Sequence, residues 1–188
     1  NWKALARRPE VETLRQRWAK QLEGRTVLLG VDGLDATKGL VHKFLALEKL
    51  FDLNPKYAYS VSFVQVCTGA GSNSRASSEK QVLATQIHGF VSRINSKLAS
   101  IDEEGPVKFF IDVNLQELCA LYSLADVLVI TPIRDGMNIS PFEYVVSRAA
   151  QNCLATVVLS EFAGCARSLG GALLVNPWST NEVTEAME

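Results

Sequence analysis

Short apolar runs alternate along the chain with longer stretches in which apolar residues recur at helical spacing. The runs are apolar on both faces, and they cover residues 26–31, 59–67, 107–113, 126–131, 155–160 and 172–177. Runs of this kind are typical of the buried strands of a parallel sheet. Between them, residues 39–51 and 115–125 carry apolar side chains close to helical spacing. This alternation predicts an α/β fold, a Rossmann-like doubly wound parallel sheet with helices on both faces.

Two segments are expected along the chain: residues 1–24 as an N-terminal helix or linker, and residues 25–188 as one Rossmann-like domain. The opening helix is predicted over residues 9–23, where Pro9 stands at the start. Residues 68–78 are the most loop-like stretch, and a long helix is expected after them, through about residue 98. The chain begins without Met, and a last helix starts close to its end, so we expect a fragment of a longer protein.

The composition excludes several classes of function. A formal charge of −1 over 188 residues provides no basic field that would recruit nucleic acid or an acidic membrane. No apolar run approaches the roughly 20 residues that cross a bilayer, and the first ten residues, NWKALARRPE, lack the hydrophobic region of a signal peptide. The four cysteines lack metal-finger spacing and there are only two histidines. We therefore expect reduced core thiols in a cytoplasmic protein without a metal site.

The sequence GAGSNS, residues 69–74, is close to the dinucleotide-binding fingerprint. Ser74 replaces the third glycine, however, and the motif follows the second predicted strand rather than the first. A loop is therefore favoured over an NAD(P) site.

A stronger candidate is the loop TPIRDGMNISPFEYVV, residues 131–146, directly after a buried strand. Ser140, Pro141 and Glu143 have the spacing of a capping box, with Ser140 as the N-cap of a helix. The amides of Asn138, Ile139 and Ser140 would then point outward from a positive helix end. Such an end is a ready phosphate site.

Three side chains near these loops each allow two interpretations. Glu143 either completes the capping box or accepts hydrogen bonds from both hydroxyls of a ribose. Asp135 is either an ordinary turn residue before a glycine or a partner of a sugar hydroxyl. Lys38 lies near a predicted helix start, where the dipole disfavours a cation, so it either meets a bound anion or is simply solvated.

Four stretches together resemble the trehalose-6-phosphate synthase family: LGVDGLDATKGLVHKFLALEKLF, LCALYSLADVLVITPIRDGMN, EYVV and LSEFAGCARSLGGALLVNPW. The resemblance implies a GT-B glycosyltransferase, in which the active site lies between two Rossmann-like domains. This chain resembles the C-terminal, donor-binding domain, so the N-terminal domain of the same chain is an implied partner. The implied reaction transfers glucose from UDP-glucose to glucose-6-phosphate with retention, in trehalose biosynthesis. It needs no cofactor and no metal.

The resemblance also assigns roles to single residues. Lys38 matches the lysine that holds the donor diphosphate, and Asp135 matches the acid at the glucose hydroxyls, so these two are the catalytic candidates. Glu143 matches the ribose-binding glutamate. Backbone amides at the phosphate and sugar belong to Gly136, Met137, Asn138, Ile139 and Ser140.

The remaining assignments concern the base and the acceptor. The segment Phe110, Ile111, Asp112 and Val113 should lie beside the uracil, which is read mainly by backbone groups. Arg75 matches an arginine that reaches the acceptor phosphate, although the loop before it is longer here. A trehalose-phosphatase domain or a synthase complex is a further partner that the resemblance allows.

Gly33 departs from the family pattern. Active synthases carry an arginine there, and that arginine and the lysine matched by Lys38 clamp the diphosphate together. Glycine supplies neither the charge nor the forked hydrogen bonding of a guanidinium. Divergent class II-like members also lack the arginine. Three hypotheses stay open: the donor half of a synthase, a weak or inactive regulatory module that binds a UDP-sugar, and a different nucleotide-sugar transferase on the same fold.

Overall fold

The computed structural model describes residues 1–69, 74–98 and 105–188, except for the side chains of residues 74–77. Within this part, six strands form one parallel sheet. The strands are β1 (Thr26–Gly33), β2 (Val61–Thr68), β3 (Val107–Ile111), β4 (Val127–Ile130), β5 (Thr156–Ser160) and β6 (Leu173–Val175). All six predicted strands are confirmed, and so is the Rossmann-like fold.

Helices connect the strands in the described part of the chain. They are α1 (Trp2–Leu5), α2 (Pro9–Gln21), α3 (Leu40–Leu53), α4 (Tyr57–Ser60), α5 (Ser74–Leu98), α6 (Leu115–Leu124), α7 (Ser140–Ala150) and α8 (Thr180–Met187). The opening helix predicted over residues 9–23 is α2. The loop predicted through residue 78 is wrong at its end, because α5 already begins at Ser74. Its polar N-terminal residues resemble a loop in composition, although their backbone is helical.

The strand order is β3-β2-β1-β4-β5-β6, so the sheet is built outward in both directions from β1. The pairs Gly33–Thr68 and Leu28–Val127 set the register of β1 with β2 and with β4. The direction of winding reverses between β1 and β4, and ligands of open α/β sheets bind at the carboxyl ends of the strands at such a switch point. A ligand site is therefore expected at the loops after β1 and β4.

Apolar cores lie on both faces of the sheet. On one face, Phe44 and Leu47 of α3 and Ile87 of α5 pack beside Phe63 of β2. On the other face, Trp18 of α2 and Tyr144 of α7 join the strand residues. Side chains buried on both sides explain why the strands are continuously apolar in sequence. In the described part of the chain, no helix combines the length and the apolar character of a membrane span.

Candidate functional site

A cavity of about 400 Å³ lies at the carboxyl ends of β1 and β4, at the switch point of the sheet. Eight of the predicted site residues line it: Gly33, Lys38, Asp135, Met137, Asn138, Ile139, Ser140 and Glu143. A larger cavity of about 610 Å³ lies between α2 and the amino ends of β1 and β4, beside Leu22, Val27 and Asp126. Because open α/β sheets bind ligands at the carboxyl ends of their strands, the switch-point cavity is the candidate site.

Lys38 is held at the cavity by a tight turn after β1. The side chain of Asp35 accepts hydrogen bonds from the Thr37 amide and hydroxyl, both at 2.7 Å, and this arrangement caps the short 3-10 turn Ala36–Lys38. The same hydrogen bonds lower the pKa of Asp35. Gly39 follows with φ of 68°, and a Cβ there would lie 2.1 Å from the Thr131 carbonyl oxygen. Only glycine fits this position, for both reasons.

Asp135 faces Lys38 across the cavity. The Lys38 Nζ lies 2.8 Å from Asp135 Oδ1. The two oxygens of Asp135 also accept hydrogen bonds from the Gly136 amide at 2.9 Å and from the Asn138 side-chain amide at 3.0 Å. Lys38 is the single cation among the described residues that line the cavity. The two catalytic candidates therefore form an ion pair at the cavity.

The loop that carries Asp135 is braced by the loop after β5. Asp135 forms an isolated bridge with Ala163, and the Gly164 amide donates to the Gly136 carbonyl at 3.0 Å. A Cβ on Gly164 would lie 2.9 Å from that carbonyl oxygen. The glycine of the FAG stretch thus permits the close approach of the two loops.

The capping-box prediction at the start of α7 is wrong. The helix begins at Ser140 itself, and its N-cap is Ile139, which has φ of −89° and makes no side-chain cap. Asn138 Oδ1 instead accepts a hydrogen bond from the Ser140 amide at 3.0 Å. The Ser140 amide predicted to be free is therefore occupied. Within the described part of the chain, the amides of Met137 and Ile139 take part in no hydrogen bond.

The carboxylate of Glu143 lines the cavity. It is half-buried, and the Tyr122 hydroxyl lies 3.5 Å from its Oε2. Burial raises the pKa of Glu143, and the neighbouring side chains of Trp2 and Tyr122 offset part of that rise. Trp2 packs edge-on against Tyr122 with ring centroids 5.5 Å apart.

The residues predicted beside a base lie at the end of β3, outside the set that lines this cavity. Phe110 is half-buried and packs edge-on against Trp18, with ring centroids 5.4 Å apart. Ile111 ends the strand with 38% of its surface exposed. Asp112 has φ of 53° and accepts a hydrogen bond from the Gly69 amide at 2.8 Å. The side chain of Arg75 lies outside the described residues, so its role stays a prediction.

A buried polar network, which the sequence pattern did not predict, lies next to the cavity. Lys43 Nζ lies 2.6 Å from Asp32 Oδ2, and both side chains are fully buried. Gln65 joins them, with its Nε2 donating to Asp32 Oδ2 at 2.9 Å. The available signal was a charged or amide residue inside an otherwise apolar strand or helix face. Among the described residues, no group of three or more histidines, cysteines and acids is placed to hold a metal ion.

The family model for glycosyltransferase family 20 matches residues 2–188. The probable UDP-forming alpha,alpha-trehalose-phosphate synthase 2 of Arabidopsis thaliana is 39% identical over 181 residues, which cover 96% of this chain and 21% of that protein.

Two solved structures share the fold over 99% of this chain. The UDP-forming synthase of Burkholderia xenovorans, in complex with glucose-6-phosphate, has a TM-score of 0.87 and 33% identity, and the chain covers 40% of it. The N-terminal domain of Candida albicans trehalose-6-phosphate phosphatase has a TM-score of 0.86 and 31% identity, with 38% covered. The match over nearly all of its length shows that this chain belongs to glycosyltransferase family 20.

Proposed function

We propose that this chain is the donor-binding domain of a trehalose-6-phosphate synthase. In the parent protein, glucose would pass from UDP-glucose to glucose-6-phosphate with retention at the anomeric carbon. One observation carries the proposal: Lys38 after β1 and several residues of the segment 135–143 after β4, among them Asp135 and Glu143, line one cavity at the switch point. The UDP-forming synthases among its relatives support the reaction class.

The geometry suggests how a donor would be held. A diphosphate would compete with Asp135 for the Lys38 ammonium, which lies 2.8 Å from that carboxylate. The carboxylate released in this way would accept hydrogen bonds from hydroxyls of the glucose. The unpaired amides of Met137 and Ile139 are available to phosphate oxygens at the positive end of α7.

These donors matter for the reaction as well as for binding. Departure of the glucosyl group leaves additional negative charge on UDP, and donors already directed at the diphosphate stabilise that charge. Glu143 would accept hydrogen bonds from the ribose hydroxyls. The backbone at Phe110–Val113 would lie beside the uracil. We propose no metal and no cofactor in this step.

The acceptor side requires a partner. The chain spans about a fifth of the Arabidopsis relative and two fifths of the Burkholderia synthase. We propose that an N-terminal Rossmann-like domain of the same parent chain supplies most glucose-6-phosphate contacts, with Arg75 reaching the acceptor phosphate. On this proposal the 188-residue chain alone has no transferase activity, and the parent protein acts in the cytoplasm. A phosphatase domain or a synthase complex would be a further partner.

Gly33 favours a second candidate, a regulatory module that binds a UDP-sugar and is weakly active or inactive. With glycine at position 33, Lys38 is the one cationic side chain among the described residues that line this cavity, although the ligand would carry two phosphates. The similarity to a domain of a Candida phosphatase supports this alternative, since that solved domain also belongs to a protein named for another activity.

Calorimetric titration of this chain with UDP and UDP-glucose tests the donor site, with Lys38→Ala and Glu143→Ala as variants. Saturable binding that both substitutions weaken supports the proposal. Lys56→Ala is the matched control, because Lys56 is exposed at the start of α4 and does not line the cavity, and it should leave affinity unchanged. Absence of binding at millimolar UDP would contradict a donor site in this chain.

A further inference from the structure

The buried ion pair of Lys43 and Asp32 joins helix α3 to the centre of the sheet. The Lys43 ammonium contacts three neighbouring strands: Asp32 Oδ2 on β1 at 2.6 Å, Gln65 Oε1 on β2 at 3.3 Å and the Val129 carbonyl on β4 at 2.9 Å. These contacts use all three donors of the ammonium. Lysine is almost never fully buried unless it is paired, so the arrangement requires an explanation.

Gly30 makes room for the network. A Cβ at that position would lie 2.1 Å from Gln65 Oε1, so the amide occupies the space of the missing side chain. Gln65 Nε2 in turn donates to Asp32 Oδ2 at 2.9 Å and to the Val66 carbonyl at 3.0 Å. Both ends of the Gln65 amide are thereby fixed, which holds the ion pair in one geometry.

Stability alone is a weak explanation for this pair. Both charged side chains are fully removed from water. Asp32 Oδ1 is buried as well, and it has no hydrogen-bond partner within the described residues. An incompletely satisfied buried ion pair often contributes less than apolar side chains of the same volume would. A positional role is the better explanation of the network.

The network lies directly beneath the Lys38 turn. The Lys43 amide donates to the Gly39 carbonyl at 3.0 Å and closes the first turn of α3. Gly39 itself lies against the Thr131 carbonyl at the end of β4. Asp32 immediately precedes Gly33, whose Cβ position is 3.8 Å from Lys38 Cε. The ion pair thus fixes the start of α3 relative to β1, β2 and β4 at the point where Lys38 leaves the sheet.

We propose that Asp32 and Lys43 are positioning residues, which hold the Lys38 ammonium at the place where it meets a diphosphate. This inference rests on the proposed donor site, and neither side chain is assigned a contact with the ligand. Removing the pair should loosen the Lys38 turn even in the absence of ligand, and it should weaken diphosphate binding without unfolding the domain.

The test uses an apolar replacement of the whole pair, Asp32→Leu with Lys43→Met. A single Lys43→Met substitution would leave a buried carboxylate unpaired and could prevent folding. The matched control is Lys49→Met on the same helix, where the lysine hydrogen-bonds Asn181 instead of the sheet. Two quantities are measured for each variant: the dissociation constant of UDP by calorimetry, and amide hydrogen exchange by NMR.

The double variant should raise the UDP dissociation constant about tenfold or more, because the Lys38 ammonium would no longer be held for its charged hydrogen bond to a phosphate, and losing such a bond costs about that factor. Exchange of the Lys38 and Gly39 amides should accelerate about tenfold while strand amides of β1 keep their protection, since local openings exchange independently of global unfolding. The two amides are informative because both donate within this turn, to Asp35 and to Ala36.

The outcomes separate this inference from the proposed function. If the wild-type chain does not bind UDP, the donor site is contradicted, and the exchange of Lys38 and Gly39 still decides whether the pair positions the turn. If wild type binds UDP and the double variant binds equally well with unchanged exchange, the positioning role is overturned. Loss of folding in the double variant would also overturn it, because the pair would then be a general structural requirement.

Discussion

Replacing Gly33 with arginine should strengthen diphosphate binding at the proposed donor site. The backbone of Gly33 lies outside the left-handed region, and a Cβ there would meet only Lys38 Cε, at 3.8 Å, which is ordinary contact. A side chain at this position is therefore compatible with the backbone and begins beside Lys38. The guanidinium of an arginine would add a second cation to a cavity whose one described cation, Lys38, is already paired with Asp135.

The size of the effect follows from charge and exposure. A cation about 4 Å from a phosphate oxygen gains about 4 kcal/mol at the effective dielectric constant of about 20 that suits a protein surface. The cavity is open to water and the arginine must be ordered, so a net gain of about 1.5–3 kcal/mol, typical of a charged hydrogen bond, is the expected value. This gain corresponds to roughly ten- to a hundredfold tighter UDP binding.

Calorimetry with UDP measures this change, and Gly33→Met is the matched control because it fills the same space without charge. The arginine variant should also lose affinity more steeply than wild type as salt is raised. Equal affinities for the arginine and methionine variants would refute the electrostatic argument. In the full-length parent protein the same substitution should raise the transfer rate about 10²–10³-fold if the arginine is the missing catalytic donor.

Two further predictions concern stability. Gly39→Ala should lower the free energy of unfolding by at least about 1–2 kcal/mol, the cost of a left-handed alanine, whereas Gly170→Ala, which meets no atom within 4 Å, should change it little in urea titrations. Burial raises the pKa of Glu143, so its charge opposes folding at neutral pH. Glu143→Gln should therefore be more stable than wild type at pH 7. Its advantage should vanish below about pH 4, where wild-type Glu143 is protonated both folded and unfolded.

Much of the fold could be predicted from the order of residues. Strands that are buried on both faces are mostly apolar along their length, so all six strands were visible as nearly continuous apolar runs. Helix ends were harder to place. Ser140 looks like an N-cap in sequence, but Asn138 supplies the acceptor and the helix begins one residue earlier than expected. The choice depends on the backbone angles of Ile139, which residue type does not determine.

At the candidate site, too, the sequence predicted the residue types but not the contacts between them. Lys38, Asp135 and Glu143 could be named from motifs, because phosphate and sugar recognition requires particular side-chain types next to strand ends. The sequence alone also established the absence of an arginine at position 33. It could not show that Lys38 and Asp135 form an ion pair, since 97 residues separate them along the chain.

Only the tertiary structure revealed the network beneath the site. Asp32, Lys43 and Gln65 lie on two strands and a helix, and their only mark in the sequence is a polar residue within an otherwise apolar stretch, which does not show that the three meet. Burial changes their meaning, because a charge without water must find partners within the protein. Local residue preferences and hydrophobic pattern therefore determined the elements of this protein and the chemistry available to it. Packing across the switch point decided which polar groups meet there.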